Sequence, residues 1–122
     1  MYDVCNVGIV LDKEHYDFLV KEASLAKCKL VEELCEEAIQ NVEQNNNGKY
    51  LYLHFKDVEW NKKNREIQII DDVLGELFDY EFVRIDSKTK EILEQYNGGE
   101  HQPLMNVKNG LIYFSFIFYF LF

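Results

Sequence analysis

The 122-residue chain is short of basic residues, with 13 Lys and Arg against 22 Asp and Glu, for a formal charge of -9. That shortage excludes general electrostatic attraction to nucleic acid or anionic lipid, since both need clustered cations. Cysteine is scarce and odd in number: Cys5, Cys28 and Cys35 include no Cys-x-x-Cys pair. Neither an exported disulfide framework nor a structural metal site is therefore expected. The opening Met1-Tyr2-Asp3-Val4 has no basic n-region and no apolar stretch of signal-peptide length, so the expected compartment is cytoplasmic. The longest mainly apolar segment, Leu111 to Phe122, has 12 residues and is interrupted only by Ser115, whereas a membrane-spanning helix needs about 20. No membrane contact is expected. The β-branched and aromatic make-up of that run suits a strand buried within the chain or at a subunit interface. Gly-x-Ser-x-Gly, His-Glu-x-x-His and P-loop patterns are all missing, and neither an enzyme nor a cofactor is expected.

What is present is enough apolar surface for a packed core, 48% hydrophobic and 15% aromatic. The polar run Gln44-Asn45-Asn46-Asn47-Gly48 carries turn chemistry and divides the chain. Before it lie 10 acidic and 4 basic residues, after it 12 and 9, so most of the negative charge is in the first half. Residues 1–43 and 49–122 are expected as two units joined by the linker 44–48.

In the first unit, Val4 to Leu11 alternates as a strand, with Cys5, Val7, Ile9 and Leu11 on one side and Asn6, Gly8 and Val10 on the other. Asp12 is a candidate N-cap for a helix whose stripe is Tyr16, Leu19 or Val20, and Ala23. Lys27-Cys28-Lys29 breaks the pattern. A second helix follows, with Leu34, Cys35, Ala38, Ile39 and Val42 on one face and Glu32, Glu33, Glu36 and Glu37 on the other. In the second unit, Leu51, Leu53 and Phe55 mark the inner face of a strand, and Asp57 to Lys63 reads as a loop. Helices are expected over Glu66–Phe78 and from Asp86-Ser87 to Tyr96, strands over Tyr80–Ile85 and the aromatic tail. The predicted class is α+β, a β-α-α unit followed by a small β-α-β-α-β sheet domain.

The segment Asn6-Val7-Gly8-Ile9-Val10-Leu11-Asp12-Lys13-Glu14 and the two amphipathic helices ending Glu37-Ala38-Ile39 resemble the ribbon-helix-helix family over residues 4–43. The resemblance implies a homodimer in which two chains pair their strands into an antiparallel ribbon. It also implies a DNA-reading role for outward strand residues, which here are Asn6, Gly8 and Val10. Only Asn6 carries a group that reads base edges. Lys27 and Lys29 are the candidate phosphate contacts beside the second helix.

Two functional expectations follow. The first is a non-enzymatic, acidic, homodimeric protein-binding module, using Glu32, Glu33, Glu36 and Glu37 with the aromatics Tyr50, Tyr52 and Trp60; Tyr80 is a further rim aromatic. Its partner would be a basic host protein, recognised by opposite charge. The groove of a nucleic-acid-binding or defence protein, of the kind that phage-encoded inhibitors occupy, is one such target. The second is a ribbon-helix-helix transcriptional regulator acting through Asn6, Lys27 and Lys29, with the C-terminal half as a sensing or oligomerisation domain.

Overall fold

The computed structural model describes residues 4–27, 44–45, 50–98 and 105–114. Strand β1 (Val4–Asp12) runs into helix α1 (Lys13–Leu25), and a two-residue strand β2 (Gln44–Asn45) precedes β3 (Tyr50–Glu59). Helix α2 (Arg65–Gly75) leads to β4 (Glu81–Asp86) and β5 (Ile92–Asn97), and β6 (Met105–Lys108) pairs with β7 (Leu111–Phe114). The first five strands form one sheet in the order β2-β3-β1-β4-β5, four of them long and mutually antiparallel neighbours; β6 and β7 form a second sheet. The class is α+β, as expected.

Because β1 is antiparallel to both β3 and β4, those two strands run parallel to each other with α2 as their crossover, a split β-α-β unit around β1. Strands from both sides of the polar run thus share one sheet. The intermolecular ribbon implied by the family resemblance needs an open β1 edge, and both edges of β1 are taken within the chain. The second helix expected in the first unit lies outside the described residues.

The start of α1 follows from local chemistry. Asp12 is extended, and its carboxylate accepts the His15 backbone N–H at 2.8 Å, satisfying one of the orphan donors of a first turn. Tyr16, Leu19 and Ala23 then face the sheet. In α2, Ile67, Ile70, Val73 and Leu74 do the same. Against them pack Cys5, Val7, Ile9 and Leu11 of β1 with Leu51, Leu53 and Phe55 of β3. Each such fully buried aliphatic side chain contributes about 1.5–3 kcal/mol relative to exposure.

The segment expected as a loop after Phe55 continues β3 as far as Glu59 through a β-bulge. Phe55 is opposite Val7 but Val58 is opposite Cys5, so β3 spends one residue more than β1 over that stretch. Asp57 is left-handed, φ 51, and its N–H donates to Asn6 Oδ1 at 2.9 Å. Its carboxylate also accepts Ser87 Oγ–H at 3.0 Å. The extra residue reverses the alternation, turning Val58 and Trp60 toward the helices.

The helix expected from Asp86-Ser87 to Tyr96 is instead a turn and a strand. Asp86 Oδ1 accepts the N–H groups of Lys88 and Thr89 at 2.8 and 2.9 Å, as a helix cap would, and these bonds hold the Asp86 carboxyl below its usual range. Lys90 donates to the Asp86 carbonyl at 2.9 Å and adopts φ 66, which ends the turn. The chain reverses and β5 pairs antiparallel with β4. Among the described residues the second half is therefore β3-α2-β4-β5-β6-β7 rather than β-α-β-α-β.

The outer face of the sheet is covered by the β6–β7 hairpin. Asn109 and Gly110 have φ 55 and 74, the two left-handed positions of a tight hairpin turn. Met105, Val107 and Ile112 pack on Val10, Tyr52, Val83 and Ile85. The buried carboxylate of Glu81 accepts the Met105 N–H at 3.0 Å and ties the hairpin to β4. Residues 115–122 of the expected aromatic strand lie outside the described residues.

Candidate functional site

Several residues expected to meet a partner are structural. Trp60 is buried among Phe55 and Phe82, with ring centroids at 6.4 and 5.7 Å. Tyr52 is buried under the hairpin and stacks on His54 at 5.9 Å. Tyr50 opens β3 opposite Asp12. Glu32, Glu33, Glu36, Glu37 and Lys29 lie outside the described residues, as do Cys28 and Cys35.

The described members of the DNA-reading set, Asn6, Gly8, Val10 and Lys27, do not form one open face. Val10 is buried, Gly8 faces Met105 and Ile112 of the hairpin, and Asn6 is committed to the Asp57 N–H. Among the described members Lys27 is exposed, in a left-handed conformation just past α1. The outward face of β1, which would have to enter a groove, is covered by protein.

His54 is half-buried on the same outer face. Burial, then the nearby Lys56 ammonium, lowers its pKa from the ordinary 6.5. The unfolded chain therefore binds this proton at a pH where the folded chain does not, and stability rises with pH across that window. Urea unfolding should show stability falling as pH drops below about 6.5, levelling below the folded-state value. The difference between wild type and His54→Gln isolates this component from the carboxylates; an identical pH dependence in the two would refute it.

The exposed apolar residues point elsewhere. At the β5 end of the sheet, Phe78 is 82% exposed and Tyr96 40%, with Ile92 and Leu93 also exposed. For Tyr96 the cause is geometric: the two described helices, each of roughly 10 Å diameter, cover about four strands at 4.8 Å spacing, and β5 is the fifth. Between α2 and β5 lies an open groove of about 300 Å³, lined by Asp71 and Leu74 of the helix and by Tyr80, Phe82, Glu94 and Tyr96.

The rings of Tyr80 and Tyr96 stack at 4.5 Å, and the Tyr96 hydroxyl donates to the Phe78 carbonyl at 3.3 Å. Burial, followed by the neighbouring Tyr96, Asp71 and Glu94, raises the Tyr80 pKa, keeping the phenol neutral. Glu94 accepts from Arg84 Nη2 at 2.7 Å and Nε at 3.1 Å, while Arg84 Nη1 reaches Cys5 Sγ at 3.6 Å. Burial pulls the Arg84 pKa down, and the bonds to Cys5 and Glu94 outweigh it, so the guanidinium is firmly cationic. At the rim, Lys62 Nζ stands 3.7 Å from Asp71 and 3.9 Å from Glu94.

Tyr80 is the one aromatic of this groove that the sequence marks as a rim residue, and Asp71 reads from sequence as part of a solvated helix face. Tyr96 and Glu94 were expected on a helix. The alternating apolar residues either side of Asn109-Gly110 are the hairpin signal that could have been read. Among the described residues no three His, Cys, Asp or Glu side chains converge as metal ligands would, and no helix is long and apolar enough to cross a membrane. Comparison of the chain with protein-family models, with curated proteins and with solved structures gave no match.

Proposed function

We propose that this chain is an acidic protein-binding module that engages a basic partner protein through the β5 end of its sheet. The observation that carries the reading is the exposed pair Phe78 and Tyr96, joined by the Tyr96 hydroxyl, beside a groove bordered by Asp71 and Glu94. Aromatic side chains bury large area at low entropic cost and are favoured at binding surfaces. The charge of -9 speeds encounter with a cationic surface and discourages an anionic one. A groove built to hold nucleic acid is one such surface. Pairing of two copies through β1 is no part of this reading, since that strand has no open edge.

The test is a photo-crosslinking residue placed at Phe78, compared with one at the exposed Lys21 of α1, in cells that make the protein. A discrete adduct with a basic protein from position 78 and not from position 21 is expected. Equal labelling from both positions, or none from either, would overturn the proposal.

A further inference from the structure

The groove and the strand beside it together specify what part of a partner fits. Among the described residues β5 is the last strand of its sheet, paired only with β4. Its sequence, Ile92-Leu93-Glu94-Gln95-Tyr96-Asn97, lacks the lysine and proline that commonly guard an open edge. Its one charge, Glu94, is held by Arg84. The register shift that places Arg84 opposite Glu94 but Ile85 opposite Ile92 confines regular pairing to Glu94–Asn97. Phe82 and Arg84 share a face with the core residues opposite them on β1, and Glu94 and Tyr96 are their partners. A strand laid along β5 would therefore set every second side chain beside Glu94 and Tyr96, at the mouth of the groove.

The chemistry there is cationic recognition. The chain's own Lys62 ammonium stands between Asp71 and Glu94 at 3.7 and 3.9 Å, beyond hydrogen-bond distance of either. Lys62 is 54% exposed, so it occupies the position loosely and at little cost to displace. A guanidinium has a planar fork that bonds carboxylates bidentately and a flat face that stacks on aromatic rings, and both kinds of surface are present.

Resting on the protein-binding reading above, we propose that β5 takes an extended, arginine-bearing segment of the partner as an added strand. One arginine enters the Tyr80–Tyr96 groove between Asp71 and Glu94, displacing Lys62. A second copy of this chain fits less well, because it would bring its own Glu91 and Glu94 to the same edge and a second charge of -9.

The experiment is fluorescence anisotropy of the full chain with three labelled eight-residue peptides. The first alternates arginine and valine; the second carries citrulline for arginine; the third keeps arginine but is N-methylated at alternate backbone amides. The arginine peptide is expected to bind. Citrulline should weaken it at least about tenfold, the effect of one charge-assisted hydrogen bond. N-methylation, which keeps the charge and blocks strand pairing, should abolish it. Asp71→Asn should weaken the arginine peptide and Lys62→Met should tighten it. Equal binding of the N-methylated peptide would reduce the effect to bulk charge, and equal binding of the citrulline peptide would remove the arginine site; either overturns the inference, as does binding of none. If the peptides fail while crosslinking from position 78 still yields a basic protein, strand addition falls and protein binding stands. If both fail, both fall.

Discussion

Trp60→Ala is expected to remove about 3–5 kcal/mol of stability, the cost of deleting a large aromatic side chain from a packed core. Trp60 is 7% exposed and lies between Phe55 and Phe82, so neighbouring side chains can only partly refill the space. The urea midpoint should fall with the slope unchanged. Trp60 Nε1 is buried with no hydrogen-bond partner among the described residues, and Trp60→Phe, which keeps most of the ring volume, should cost clearly less than Ala. The chain has a single Trp, so the wild-type emission should be blue-shifted when folded. An interface residue would behave differently: unfolding would be unchanged by Trp60→Ala and partner binding weakened. That outcome would sink the placement of Trp60 in the core.

Gly8→Val is expected to cost about 1–3 kcal/mol through overpacking and to lift the β6–β7 hairpin from the sheet. A Cβ at position 8 would lie 2.8 Å from Met105 Sδ, 3.1 Å from Ile112 Cγ2 and 3.3 Å from Tyr52 Cε1. The β1 backbone is paired on both sides and cannot retreat, so the hairpin side must give. Hydrogen exchange should accelerate at Met105, whose N–H is held by Glu81, while β1 and β3 amides stay protected. Met105→Ala should relieve part of the cost in the double mutant, a coupling expected only for residues in contact. Unchanged protection at Met105 in Gly8→Val would show that the hairpin does not depend on the missing side chain.

These two positions mark where the sequence stopped being legible. Short-range features were readable because their physics is local. The Asp12 cap, the Tyr16-Leu19-Ala23 stripe, the inner face Leu51-Leu53-Phe55 and the apolar face of α2 all appear as expected. The strand beginning near Tyr80 was readable for the same reason. Each depends on hydrogen bonds or side-chain periods that span a few residues.

Asp86 shows the limit of that kind of reasoning. Its carboxylate bonds to the following N–H groups as it would at a helix start, yet the chain turns back after Lys90. Pairing of residues 92–97 with β4 is a tertiary gain that a short, weakly stable helix does not match. The candidate site was correspondingly hidden. Tyr80 could be suspected, but Tyr96 and Glu94 reach the groove only because that segment is a strand.

Trp60 shows a second limit. Strict alternation from Leu51 would turn residue 60 away from the helices, and one extra residue at Asp57 reverses it. That bulge is stabilised by Asn6, 51 positions earlier, so no local window contains its cause. By itself, the sequence determined the acidic charge, the α+β class and the core faces of the first strand, the two described helices and the third strand, since composition and period are properties of the chain. The tertiary structure alone decided that β1 lies mid-sheet with both edges filled, that its outer face is covered by a hairpin, and that β5 is the last described strand of the sheet, beside an acidic aromatic groove. Those outcomes depend on which distant segments pair, and that is settled by the burial and hydrogen bonding of the whole chain at once.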